Sequence, residues 1–129
     1  MKPFLATFLG LIATFAATSG LVALTHVLFP IPAELMTGDE VNIELIPTVS
    51  YVGVALAHGL GLLIGLLVAR SIDKMTIYPL YILAGFFLLG TVANLYAIPH
   101  PLWFAIADIG IMLIIGFFVI FATHRRIQN

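Results

Sequence analysis

The chain contains no cysteine, which excludes disulfides, thiolate metal sites and cysteine nucleophiles. It is almost as poor in charge: 9% of its residues are Asp, Glu, Lys or Arg, against roughly a quarter in soluble domains. It also lacks a His-x-x-x-His pair, a phosphate-binding loop and any cofactor motif. No metal or other cofactor is therefore expected, and the sequence points away from an enzyme.

Hydrocarbon fills the space that charge leaves. Hydrophobic residues make up 62% of the chain, and apolar runs at about 4–28, 49–70, 77–97 and 102–123 approach or exceed the ~20 residues that cross a ~30 Å membrane core as helix. Backbone groups in lipid must be satisfied within each helix. The expected fold is all-α: one transmembrane domain over residues 1–129, an integral membrane up-down four-helix bundle whose first partner is the lipid bilayer. The small residues of "FAATSG" would suit signal cleavage, but the first apolar run far exceeds the roughly 7–15 residues of a signal-peptide core. It is expected to stay as a helix.

Charge position orients the bundle. Lys2, Arg70, Lys74, Arg125 and Arg126 fall at one set of helix ends, while Glu34, Asp39, Glu40 and Glu44 occupy the loop at 29–48 at the other. The positive-inside rule puts both termini in the cytoplasm (N-in/C-in), with the loop external, in a multi-pass protein of the bacterial inner membrane. Arg125 and Arg126 then anchor the last helix at cytoplasmic headgroups, and no nucleic-acid partner is expected.

The connections carry local signals. Pro30 and Pro32 end the first span. The alternation of Val41, Ile43 and Leu45 permits a short extended or interface-lying piece, and Glu34 or Glu40 would ride on it if the loop were a lid. Thr76 is a candidate N-cap for the third helix, and Pro101 suits the first helical position of the fourth. "FPIP" and "IPHP" close spans one and three, while "AHGLGLLIG" and "ADIGIMLIIG" lie at similar depth in spans two and four. The chain thus reads as two related hairpins in one orientation.

Small residues four apart allow close helix contact in lipid. Ala57, Gly61, Gly65 and Ala69 form such a stripe on span two, and Ala6, Gly10, Thr14 and Thr18 another on span one. The spacing does not say whether each meets its own chain or a second copy. A homo-oligomer or a larger membrane complex is the expected assembly.

Polarity is concentrated near the external end. At 1.5 Å per residue, His58 and Asp108 lie about two turns in, and His26 and Asn94 about one. An ionisable side chain facing lipid costs about 2.5–3.5 kcal/mol, so Asp108 should face the interior. The segment "NLYAIPHPLWFAIAD" (94–108) then reads as one wall of an outward-facing polar pocket formed by His26, His58, Asn94 and Asp108, with Tyr96 and Trp103 as interface anchors. His100 reads as a solvated turn residue, and Phe86, Phe87, Phe117, Phe118 and Phe121 as lipid-facing or packing surface.

Several roles fit that cluster. A His58–Asp108 pair can hold two helices in register; it can line a binding pocket; it can relay protons in transport or catalysis; and His26 with His58 can approach one haem iron or zinc. The favoured reading is a non-enzymatic accessory or binding subunit. The alternatives are a transporter or proton-relay protein using Asp108 and His58, and a membrane enzyme or haem or metal binder using His26 and His58.

At "THVLFPIP" (25–32) and "NLYAIPHPLWF" (94–104) the chain resembles a group of small, uncharacterised bacterial four-helix membrane proteins. They similarly place a His before a Phe-Pro-x-Pro at the end of helix one and an Ile-Pro-His-Pro-x-Trp-Phe turn before helix four. The resemblance extends over the whole chain on short motifs. It implies the same four-helix fold, carries no catalytic residue over, and makes His26, His100, Pro101 and Trp103 parts of a recurring design.

Overall fold

The computed structural model describes residues 1–32 and 43–128. They form four α-helices, α1 (Lys2–Leu28), α2 (Thr48–Ile72), α3 (Tyr78–Ala97) and α4 (Leu102–Gln128), with a 3-10 turn at Ile43–Leu45 before α2. Each helix is long and apolar enough to cross a membrane.

Proline marks the helix starts. Pro3 and Pro79 lie in the first turns of α1 and α3, where no backbone N–H is needed. Pro47 and Pro101 stand one step earlier, immediately before their helices. The Pro47 carbonyl accepts from Ser50 N–H, and the Pro101 carbonyl from Phe104 and Ala105 N–H. Pro101 therefore precedes α4 by one residue rather than opening it.

Two further local expectations are corrected. Ile43–Leu45 winds into a 3-10 turn rather than an extended piece, and Tyr51 Oη donates to the Ile43 carbonyl (3.1 Å) to hold it against α2. The lid residues Glu34 and Glu40 lie outside the described residues. Thr76 does not cap α3, whose N-cap is Ile77. Its hydroxyl donates instead to Asp73 Oδ2 (2.6 Å), while Asp73 Oδ1 accepts the N–H groups of Met75 (2.9 Å) and Thr76 (3.1 Å). A carboxylate two and three residues upstream of free N–H groups closes the turn better than a hydroxyl does.

Those bonds have a pH signature. The Thr76 hydroxyl first, then Met75 N–H, holds the Asp73 carboxyl below its ordinary value of 3.8. A depressed carboxylate stabilises fully above its unfolded pKa and loses that contribution as pH falls through the folded value. Asp73→Ala is expected to cost about 1–2 kcal/mol at pH 7, and the gap to wild type in thermal unfolding should narrow progressively as pH falls below 3.8 and close once the folded carboxyl is protonated. A gap that persisted there would remove the carboxylate from the explanation.

Contacts between helices fix the topology. Gly10, Thr14, Thr18 and Thr25 of α1 meet Gly65 or Ala69, Gly65, Gly61 and Gly53 of α2 in turn, so α1 and α2 are antiparallel. Gly10 lies against Leu83 and Phe15 against Phe87, so α1 and α3 run parallel. Tyr51 packs on Phe104 and His58 on Asp108, so α2 and α4 run parallel too. The second hairpin lies beside the first in register, α3 next to α1 and α4 next to α2. Contact also runs across the middle between α2 and α3, which leaves α1 and α4 at the far corners and α2 the most buried helix.

The two small-residue stripes meet each other within the chain. A Cβ at Gly65 would overlap Thr14 Oγ1 and the Gly10 carbonyl, and one at Gly61 would overlap Thr18 Oγ1. Toward the basic end, Leu62, Leu66, Leu80, Leu83, Phe87 and Met112 close the bundle as a continuous apolar core.

Candidate binding site

α2 and α4 carry the two side chains at the centre of the site. His58 Nδ1 lies 2.9 Å from Asp108 Oδ1 and 2.9 Å from Oδ2. An N–H shared between two carboxylate oxygens takes this symmetric geometry, whereas a carboxyl O–H would favour one oxygen, so Nδ1 is the donor. In the neutral imidazole this leaves the lone pair on Nε2.

The two residues differ in access. Asp108 is completely buried, while the His58 side chain keeps 14% of its surface exposed. Asp108 faces the interior, but it does not line the cavity. The His58 ring covers its carboxylate and takes its place in the wall, so the acid acts on the cavity only through the imidazole.

Two cavities meet at His58. The outer one, about 340 Å³, is walled by His26, Ser50, Tyr51, Asn94, His100 and Phe104 together with aliphatic side chains such as Val22, Ile46 and Val54. The inner one, about 300 Å³, is lined by Phe15, Thr18, His58, Phe87, Gly90, Thr91 and Asn94. His58 and Asn94 belong to both. Of the expected site residues, the fold thus brings His26, His58 and Asn94 to cavity walls and sets Asp108 behind one of them.

The wall segment at 94–108 contributes Asn94, Ile98, His100 and Phe104. His100 is more than a solvated turn residue. Its Nδ1–H donates to the Ile98 carbonyl (2.6 Å), and its ring stacks on Phe104 and meets Tyr51 edge-on. Tyr51 is the hub of this mouth, with Phe104 at 5.2 Å and Trp103 at 5.8 Å between ring centroids. Deeper in, Phe87 bridges His58 and Phe15 by edge-to-face contacts. Among the other anchors, Tyr96 points outward at 94% exposure, and Arg125 lies 4.4 Å over the Phe121 ring.

Tyr51 and Thr18 are among the wall residues the sequence did not single out for the pocket, and His100 was placed in its wall segment only as a solvated turn residue. Helical spacing carries a signal for two of them. Tyr51 precedes His58 by seven residues, and Thr18, Val22 and His26 recur every four, so each set shares a face. His100 had no periodic signal because it lies in a turn.

The donor set limits the chemistry. Among the described residues, no three His, Asp or Glu side chains converge on a point that would hold a metal ion. Thr18 Oγ1 is buried without a hydrogen-bond partner among the described residues, and the Thr91 hydroxyl reaches only the Met112 sulfur at 3.6 Å. Both hydroxyls are turned into helix contacts, Thr18 against Gly61 and Thr91 toward α4, so the polar groups common to the two cavities are the His58 imidazole and the Asn94 amide.

No family model, curated protein or solved structure matches the chain. Its function has to be argued from the site alone.

Proposed function

We propose that this chain is a small integral protein of the bacterial inner membrane, both termini cytoplasmic, that holds a small ligand in an outward-facing pocket without acting on it as an enzyme. The observation that carries this reading is the His58–Asp108 pair at the junction of two cavities. A buried carboxylate fixes the imidazole proton on Nδ1 and aims an acceptor at the space where a ligand would lie. An intramembrane ionisable pair is a functional site by default.

The packing below the pair favours holding over conduction. Leu62, Leu66, Leu80 and Leu83 are fully buried between it and the basic end, and no polar side chain among them offers a proton or solute a next step. The transporter reading would need that core to open.

An accessory role, in a homo-oligomer or a larger membrane complex, belongs to the same proposal. What supports it is the near absence of mass outside the helices, not the glycine stripe, which α1 and α2 use on each other. Gly61→Leu therefore tests the fold rather than a partner. Kinship with the small four-helix group rests on residues 25–32 and 94–104.

The experiment is native mass spectrometry on protein extracted from its own membranes in mild detergent. A small discrete added mass is expected on the wild type. It should weaken in Asp108→Asn, whose neutral amide holds the Nδ1 proton less firmly, and vanish in His58→Gln, whose amide still donates to Asp108. A mass unchanged in both folded variants, or one matching another chain, would make the polar cluster structural and redirect the search to a partner.

A further inference from the structure

We infer that the ligand is an uncharged lipid bearing a hydroxyl, which enters sideways from the bilayer between α1 and α3 and places its tail in the inner cavity and its hydroxyl on His58. This rests on the membrane and binding readings above and names the ligand class.

Depth gives the first argument. Phe15 is the midpoint of α1 (Lys2–Leu28), and Phe87 lies at the centre of α3 (Tyr78–Ala97). The inner cavity they line therefore reaches the middle of the bilayer, where the surroundings are hydrocarbon. Its flank is open on that side: Phe15 is 48% exposed, Gly90 is exposed, and a side chain added at Gly90 would meet nothing within 4 Å. An apolar tail fits such a gap, and a hydrated solute does not.

The lining sets the headgroup. Among the described residues no Asp, Glu, Lys or Arg lines either cavity, and the Asp108 carboxylate is sealed behind His58. A charged headgroup would lie there unpaired. His58 Nε2 accepts, so the ligand must donate to it. Asn94, which lines both cavities beside His58, carries an amide N–H that donates, so the ligand oxygen must also accept. An ether or ketone oxygen cannot donate and an ammonium cannot accept, whereas a hydroxyl does both.

The test uses the full chain in phosphatidylcholine vesicles with a long-chain primary alcohol carrying a diazirine in mid-chain. On irradiation, labelling is expected at residues 14–18 and 86–91. It should saturate and be competed by 1-hexadecanol but not by its methyl ether. Gly90→Leu, which fills the gap where the fold leaves room, should cut labelling about tenfold, and His58→Gln about tenfold, because an amide turned to donate to Asp108 leaves no acceptor at the Nε2 position. Thermal unfolding of both variants verifies that they fold.

Equal competition by the methyl ether, or labelling that never saturates, would overturn the proposal. Loss in His58→Gln with none in Gly90→Leu would overturn entry from the lipid and leave the pocket standing. No labelling by the alcohol, together with no added mass on the wild type, would bring down the binding reading itself.

Discussion

Gly65→Leu is expected to weaken the detergent-stable fold severely, and Gly61→Leu nearly as far. At Gly65 even a Cβ overlaps both the Thr14 hydroxyl and the Gly10 carbonyl. Thr14 has no room to retreat, because its Oγ1 already donates to that carbonyl at 2.9 Å and its side chain is fully buried. Overpacking a core usually costs about 1–3 kcal/mol. Where backbone must move from backbone, the upper end or more applies, equivalent to a fall in Tm of about 10 °C. Gly20→Leu is the internal control, since nothing lies within 4 Å of its Cβ position; its Tm should stay within about 2 °C of wild type. Equal melting of Gly65→Leu and Gly20→Leu would show that α1 and α2 do not meet along this seam.

The second large effect is at the polar pair. His58→Ala removes the partner of a carboxylate that is completely buried, and an uncompensated buried charge costs about 3–5 kcal/mol. Asp108→Asn should cost far less, about 0.6 kcal/mol as for polar contacts between membrane helices generally, because its amide oxygen still accepts from Nδ1–H. The informative variant replaces both residues by leucine. Substituting apolar side chains for both members of a buried polar pair is often neutral or stabilising. His58→Leu with Asp108→Leu is therefore expected to recover most of the stability that His58→Ala loses, and a double-mutant cycle measures the coupling. Recovery of stability with loss of the bound mass would separate ligand binding from packing. A double variant as unstable as the single one would make the pair a structural clamp.

These expectations differ in how far the sequence supports them. Interior placement of Asp108 follows from solvation alone, because an acid in the middle of a long apolar run cannot face lipid cheaply. Partnership with His58 does not follow. It requires α4 to lie beside α2, and short connections constrain only consecutive helices. The Gly61–Gly65 stripe was legible as a packing face from its spacing of four. Its partner stripe on α1 was legible too, but their meeting within one chain was not.

The sequence by itself determined the number of helices, their limits to within a few residues, the end at which polarity collects and the inward turn of Asp108. Each is a one-dimensional property, set by the length of apolar runs and by what hydrocarbon tolerates. Tertiary structure decided the rest: α2 at the centre, α4 beside it, Asp108 withdrawn behind His58, and Tyr51 and His100 drawn into the mouth of the cavity. The spans are apolar nearly all round, so no face of a helix announces its neighbour. Lateral order is settled by which small residues let backbones approach and which polar groups find each other across the bundle.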